Sequence, residues 1–165
     1  SASLVGSEMC IRDRIMLEQL LAALEEKVKQ GVEVRMIYDD VGCISKLPAG
    51  YYKKMEARGI KCTAFNPFRP IMSIIMNNRD HRKILVVDGK TAFTGGINIA
   101  DEYINVTTRF GYWKDTGVRI EGKAVWNFTA MFLQMWNFAN HSTENYLAYK
   151  PQINWKKQYL SLIHI

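Results

Sequence analysis

Six residues within an eighteen-residue span carry the chemistry that this sequence offers. They are His81, Lys83, Asp88, Gly95, Gly96 and Asn98, in the pattern H-x-K-x4-D-x6-G-G-x-N. Successive side chains alternate along a strand, so an imidazole at 81 and an ammonium at 83 are expected on one face. Together they suit a phosphate diester. The ammonium neutralises non-bridging oxygens, and the imidazole can attack phosphorus or move a proton. Asp88 has the opposite parity and is expected to support a turn more than to touch phosphate. Gly95 and Gly96 let a strand pass close to the site, where a side chain would block a ligand. Asn98, just beyond, can donate its amide to a phosphate oxygen. Each residue alone has an ordinary explanation: a packed histidine, a solvated lysine, a glycine turn. Six at fixed offsets on one hairpin are much harder to explain that way.

The elements that must position these residues are legible around them. Asp88-Gly89-Lys90 between the apolar runs Arg82 to Val87 and Thr91 to Thr94 predicts a hairpin. Gly95-Gly96 ends its second strand. Leu17, Leu20, Leu21, Leu24 and Val28 recur at helical spacing, with Gly31 as the stop. Val32 to Tyr38 alternates, with Val32, Val34, Met36 and Tyr38 on one face of a strand, and Asp39, Asp40 and Gly42 then turn the chain. A second helix is predicted over Tyr51 to Arg58 with Gly59 as its stop, then a strand over Lys61 to Phe65 and a prolyl loop over 66–70. Trp113 to Glu121 reads as a strand closed by Gly122, and Ala124 to Asn140 as a helix. That helix carries Val125, Phe128, Phe132, Met135, Trp136 and Ala139 on one face, with Trp126, Met131 and Phe138 off it. The fold class expected is α/β: a mixed β-sheet with helices on both faces.

Composition narrows the setting. The chain of 165 residues is long enough for one packed domain, and 48% apolar content excludes a disordered chain. A net charge of +6 favours anionic partners such as phospholipid headgroups, nucleic acid or phosphorylated small molecules. Cys10, Cys43 and Cys62 form no C-x-x-C pattern, which fits reduced thiols rather than a metal site or a disulfide framework. No run of about 18 apolar residues offers a membrane span. Residues 1–14 show no period leading into the first helix and, with 160–165, resemble translated sequencing-adapter sequence. Both are expected to be non-native tails around a domain at 15–159.

The motif resembles the H-K-D signature of the phospholipase D superfamily. The stretches Asn77 to Lys83, Gly95 to Tyr103, Arg109 to Val125 and Gly31 to Gly42 are similar to the first motif-bearing half of bacterial cardiolipin synthases. Cys43 stands where serine is expected, and Asn78 where an aromatic is usual. The resemblance implies a phospholipase D-like fold and a two-step, cofactor- and metal-free transfer. His81 would take up the phosphatidyl group, with Lys83 and Asn98 on the phosphate. Asp115 would orient the histidine of an opposite motif, as the acid of a triad fixes its partner's tautomer. It also implies phosphatidylglycerol as substrate and a bacterial cell membrane, cytoplasmic side, as the setting of the parent protein. This sequence holds no second H-x-K: His141 is followed by Ser142-Thr143, and His164 lies in a tail. The second half is therefore expected from the parent chain or from another subunit, with this chain inactive alone. Two other readings stay open: a single-motif homodimeric nuclease, and a non-catalytic phospholipid-binding domain. Basic residues do not cluster beside stacking aromatics, which speaks against nucleic acid.

Overall fold

The computed structural model describes residues 2–6, 15–39, 50–66, 80–108, 111–153 and 159–164. The turn expected at Asp40 to Gly42, the prolyl part of the loop at 67–70, Cys10, Cys43, Asn77 to Arg79 and Arg109 to Phe110 lie outside those residues.

Among the described residues, seven strands form one mixed sheet. In chain order they are β1 (Ala2–Gly6), β2 (Val34–Asp39), β3 (Lys61–Phe65), β4 (Lys83–Val87), β5 (Thr91–Gly95), β6 (Thr116–Glu121) and β7 (Tyr159–His164). Their order across the sheet is β3-β2-β1-β4-β5-β6-β7. β1, β2 and β3 run parallel. Parallel neighbours need a crossover, and helix α1 (Ile15–Lys29) and helix α2 (Tyr51–Ala57) lie in the two connections. β4, β5 and β6 then form an antiparallel meander.

Both helices stop where the glycines predict. Gly31 and Gly59 have φ of 84° and 77°, conformations in which an L side chain would be strained. Val32 N–H donates to Lys27 O at 3.0 Å, and Ile60 N–H to Met55 O at 3.0 Å. These bonds close the ends of α1 and α2 as Schellman motifs.

The helices pack on opposite faces. Leu17, Leu21 and Leu24 of α1, with Tyr51 and Met55 of α2, pack on Val34, Met36 and Tyr38 of β2. Helix α3 (Val125–Asn140) packs Phe132, Leu133, Met135 and Trp136 against Ile37, Ile84, Val86 and Ala92 on the other face. The expected alternation of β2 is correct in its face. All six of its residues are nevertheless buried, because both faces are covered.

β1 lies within residues 1–14, and β7 covers most of 160–165, the segments expected as tails. β1 pairs with β2 on one side and β4 on the other, and β7 pairs with β6. Pairing is made by backbone groups, so a short stretch needs no alternating pattern to join a sheet. The strand predicted from Trp113 begins only at Thr116. The Asn105 side chain takes both the N–H (2.7 Å) and the C=O (2.9 Å) of Trp113 away from the ladder. The strand predicted from Arg82 begins at Lys83, because Arg82 N–H donates to Asp80 Oδ1 at 3.0 Å.

Cys62 is a buried, free thiol, which burial and the nearby Glu56 charge push up to about 12. Among the described residues, no helix is long and apolar enough to cross a membrane.

Candidate active site

The antiparallel register brings Lys83, Gly95 and Gly117 to one end of the sheet. Lys83 stands opposite Gly95, and Gly95 opposite Gly117. The residues just outside these strand ends therefore share a neighbourhood: His81, then Gly96 to Asn98, then Asp115. The C-terminal end of β2 reaches the same edge, since Gly6 of β1 pairs with both Tyr38 and Lys83.

His81 precedes β4 rather than lying in it, so the pleat does not set its position. Its neighbours do. Asp80 is buried and accepts from the Arg82 side chain through two bonds, Nε to Oδ1 at 2.7 Å and a terminal nitrogen to Oδ2 at 2.8 Å. That paired geometry pushes the Arg82 guanidinium still higher than its ordinary pKa. Asp80 N–H in turn donates to Asp39 Oδ2 at 3.4 Å, on the last residue of β2. His81 thus sits exposed between Asp80 and Arg82, which hold each other. Lys83 Nζ donates to the carbonyl of His81 at 2.9 Å, which brings the ammonium back beside the histidine.

Asn98 is buried, and its Nδ2 donates to the Tyr103 hydroxyl at 2.7 Å. Tyr103 belongs to a short 3-10 turn, Asp101–Ile104. That turn is anchored by Asp101, fully buried, whose carboxylate accepts the N–H groups of Ile15 (3.2 Å) and Met16 (2.8 Å) at the start of α1. A carboxylate against free helix N–H groups is favourable in both hydrogen bonding and charge.

Asp115 accepts from Thr116 N–H at 2.7 Å and from the Trp113 indole at 3.3 Å. It explains Gly96: a Cβ there would lie 3.0 Å from both carboxylate oxygens. A Cβ at Gly95 would lie 3.0 Å from the carbonyl of Thr116 and 3.2 Å from Gly117 Cα. The two glycines were expected to make room for a ligand. In the structure they make room for residues 115–117.

Asp88 stands apart. It lies at the far end of β4, about 17 Å from the histidine end for a five-residue strand. Asp88 and Gly89 have φ of 52° and 65°, and Lys90 N–H closes their turn onto Val87 O at 2.9 Å. Asp88 therefore shapes the hairpin and does not join His81, Lys83, Asn98 and Asp115. Sequence reading missed Asp39, Asp80, Arg82 and Tyr103. The Asp-His-Arg-Lys run was visible, but which charges fold back on the histidine is decided by the turn. Among the described residues, no three His, Cys, Asp or Glu side chains are grouped to share a metal ion.

A family model described as "Cardiolipin synthase, PLD-like domain" matches residues 11–136, and the chain belongs to this phospholipase D-like family. Over 136 residues it is 42% identical to Cardiolipin synthase 2 of Staphylococcus epidermidis, covering 82% of this chain and 27% of that protein. Over 134 residues it is 53% identical to an uncharacterized protein of Streptococcus mutans serotype c, covering 81% of this chain and 29% of that protein. The chain thus spans less than a third of the length of these relatives. The fold is shared with Nuc from Salmonella typhimurium, whose structure is described as that of a phospholipase D family member. The TM-score is 0.56 at 17% identity, covering 82% of this chain and 77% of that one.

Proposed function

We propose that this chain is one catalytic half of a cardiolipin-synthase-type phosphatidyltransferase. The observation that carries the proposal is the hydrogen bond from the Lys83 ammonium to the main-chain carbonyl of the exposed His81, at the sheet end where Lys83 faces Gly95. In the reaction, a His81 ring nitrogen attacks the phosphorus of phosphatidylglycerol. An N–P bond forms, the P–O bond to glycerol breaks, and glycerol leaves with a proton from the opposite motif. The hydroxyl of a second phosphatidylglycerol then loses its proton to that group and attacks phosphorus. This releases His81 and yields the diphosphatidyl product. Lys83 and Asn98 neutralise and orient the non-bridging oxygens, and Asp115 orients the opposite histidine.

With a single H-x-K in the chain, the second motif comes from elsewhere in a longer parent protein or from a second subunit. The working site is at the membrane that holds its lipid. The single motif also keeps a second reading in play, a homodimer cleaving nucleic-acid diesters.

The test is a pair of assays on the 165-residue chain and on the longer gene product. Phosphatidylglycerol vesicles are followed for glycerol release, and supercoiled plasmid for nicking. Glycerol release from the longer product alone, abolished by His81→Ala, is the expected result. Plasmid nicking without lipid turnover overturns the proposal in favour of the second reading.

A further inference from the structure

Asn98 and Asp115 come from separate segments, yet one aromatic pair touches both. Tyr103 holds Asn98 through its hydroxyl. The Tyr103 ring meets Trp113 edge-on, with centroids 4.6 Å apart and planes at 64°. Trp113 donates its indole N–H to Asp115. The Trp113 backbone is in turn pinned at both its N–H and its C=O by Asn105, a residue in the left-handed region at φ 59°. The ring that seats Tyr103 is thereby fixed by its main chain as well as by packing.

The Asn98 amide is held at one end only. Its Oδ1 is fully buried and has no hydrogen-bond partner among the described residues. A buried carbonyl oxygen without a donor is costly, and natural proteins keep few of them. The two ends of a carboxamide are nearly equal in size, so hydrogen-bond partners decide which end faces which way. A phenolic hydroxyl both donates and accepts. Turned by half a rotation, Asn98 would receive the Tyr103 O–H on Oδ1. It would then present its two N–H donors where the unmatched oxygen now lies. An anionic phosphate oxygen favours that second arrangement, and Tyr103 serves either one.

We infer that Tyr103 is a positioning residue of the phosphate site, its hydroxyl fixing the Asn98 amide plane and letting the amide present N–H donors to a phosphate oxygen. The inference rests on the reading of Asn98 as a phosphate ligand. Tyr103 acts through Asn98 and does not itself touch substrate. Phenylalanine keeps the ring on Trp113 and removes only the hydroxyl, which isolates the effect.

The test uses the 165-residue chain and inorganic phosphate. Phosphate is titrated into the parent, Asn98→Ala and Tyr103→Phe, and the side-chain amide resonances of Asn98 are followed in 1H–15N spectra. The parent is expected to show phosphate-dependent shifts at the Asn98 amide. Asn98→Ala and Tyr103→Phe are each expected to weaken phosphate binding, by about three- to tenfold for the loss of one hydrogen bond. In Tyr103→Phe the ligand-free Asn98 amide resonances also move, while the melting temperature stays within a few degrees of the parent.

If the parent amide does not respond, or if Asn98→Ala binds phosphate as the parent does, the phosphate reading of Asn98 falls and takes the inference with it. If Asn98→Ala weakens binding and Tyr103→Phe does not, the role of Tyr103 alone is overturned. A weakened Tyr103→Phe whose ligand-free Asn98 resonances match the parent's also overturns it.

Discussion

Arg35→Met tests how the face of the sheet opposite α1 is held. Arg35 lies on β2 with its side chain 6% exposed. It donates to Glu33 at 2.7 Å, to Glu144 at 2.8 Å and to the Tyr149 hydroxyl at 2.6 Å. Its guanidinium also stands 5.2 Å from the Trp136 ring centroid and 5.1 Å from that of Tyr149. The residues that follow α3 are thereby tied to the centre of the sheet. Breaking a buried ion pair from one side costs about 3–5 kcal/mol. Glu33 and Glu144 keep 37% and 31% of their side-chain surface exposed, so once abandoned they rehydrate, and that range is an upper bound. Methionine refills the stem's volume and keeps a sulfur contact with the indole, recovering about 1 kcal/mol. The net loss expected is about 2–3 kcal/mol, a fall in Tm of roughly 5–10 °C for a domain of this size.

The same variant carries a pH signature. Burial pushes Glu33 up, but hydrogen bonds from Lys61 and Arg35, with the Arg35 charge, bring it below its ordinary 4.5. Burial also pushes Glu144 up, and hydrogen bonds from Tyr149 and Arg35 outweigh it, leaving Glu144 lowered as well. A carboxylate lowered in the folded state contributes its full stability above its unfolded value. It loses that contribution as pH falls through the lower, folded value. The parent should therefore lose stability below pH 4.5 more steeply than Arg35→Met, which has given up the cation's share. Urea unfolding followed by circular dichroism, at pH 7 and in steps down from pH 5, measures both effects. A variant within about 0.5 kcal/mol of the parent, with a parallel acid limb, would refute the account of the cluster.

Other substitutions test the site and the helix ends. Gly95→Ala drives a methyl against the backbone of Thr116 and Gly117, which cannot turn aside, and should cost about 1–3 kcal/mol in denaturant unfolding. Gly96→Ala meets only the Asp115 carboxylate, so it should cost less stability while displacing Asp115. On the proposed function, lipid transfer by a parent protein carrying both motifs is then expected to fall far more than its Tm, and an unchanged transfer rate would count against a role for Asp115. His141 closes α3 in the left-handed region at φ 51°, with Ser142 N–H donating to Asn137 O at 2.9 Å. His141→Gly should relieve about 1 kcal/mol of strain and raise Tm by roughly 2–4 °C, read by calorimetry.

Much of this protein was determined by local pattern. The leucines of α1 at helical spacing, the glycines at 31 and 59 and the Asp-Gly turn are each specified by neighbours a few residues away, through side-chain periodicity and backbone sterics. The H-x-K motif with its glycines and Asn98 was legible for the same reason: the hairpin that presents it is local. Tertiary structure decided what depends on long-range pairing. Arg35 lies on the β2 face opposite Val34, Met36 and Tyr38, and α3 with the segment around Glu144 covers it. Asp101 takes its partners from the start of α1, more than eighty residues earlier, whose N–H groups it accepts. Gly95 and Gly96 read as room for a ligand until Asp115 and the start of β6 fill that space. Side-chain pattern says which face of an element is apolar, and only the packing of distant elements says which charged groups meet on it.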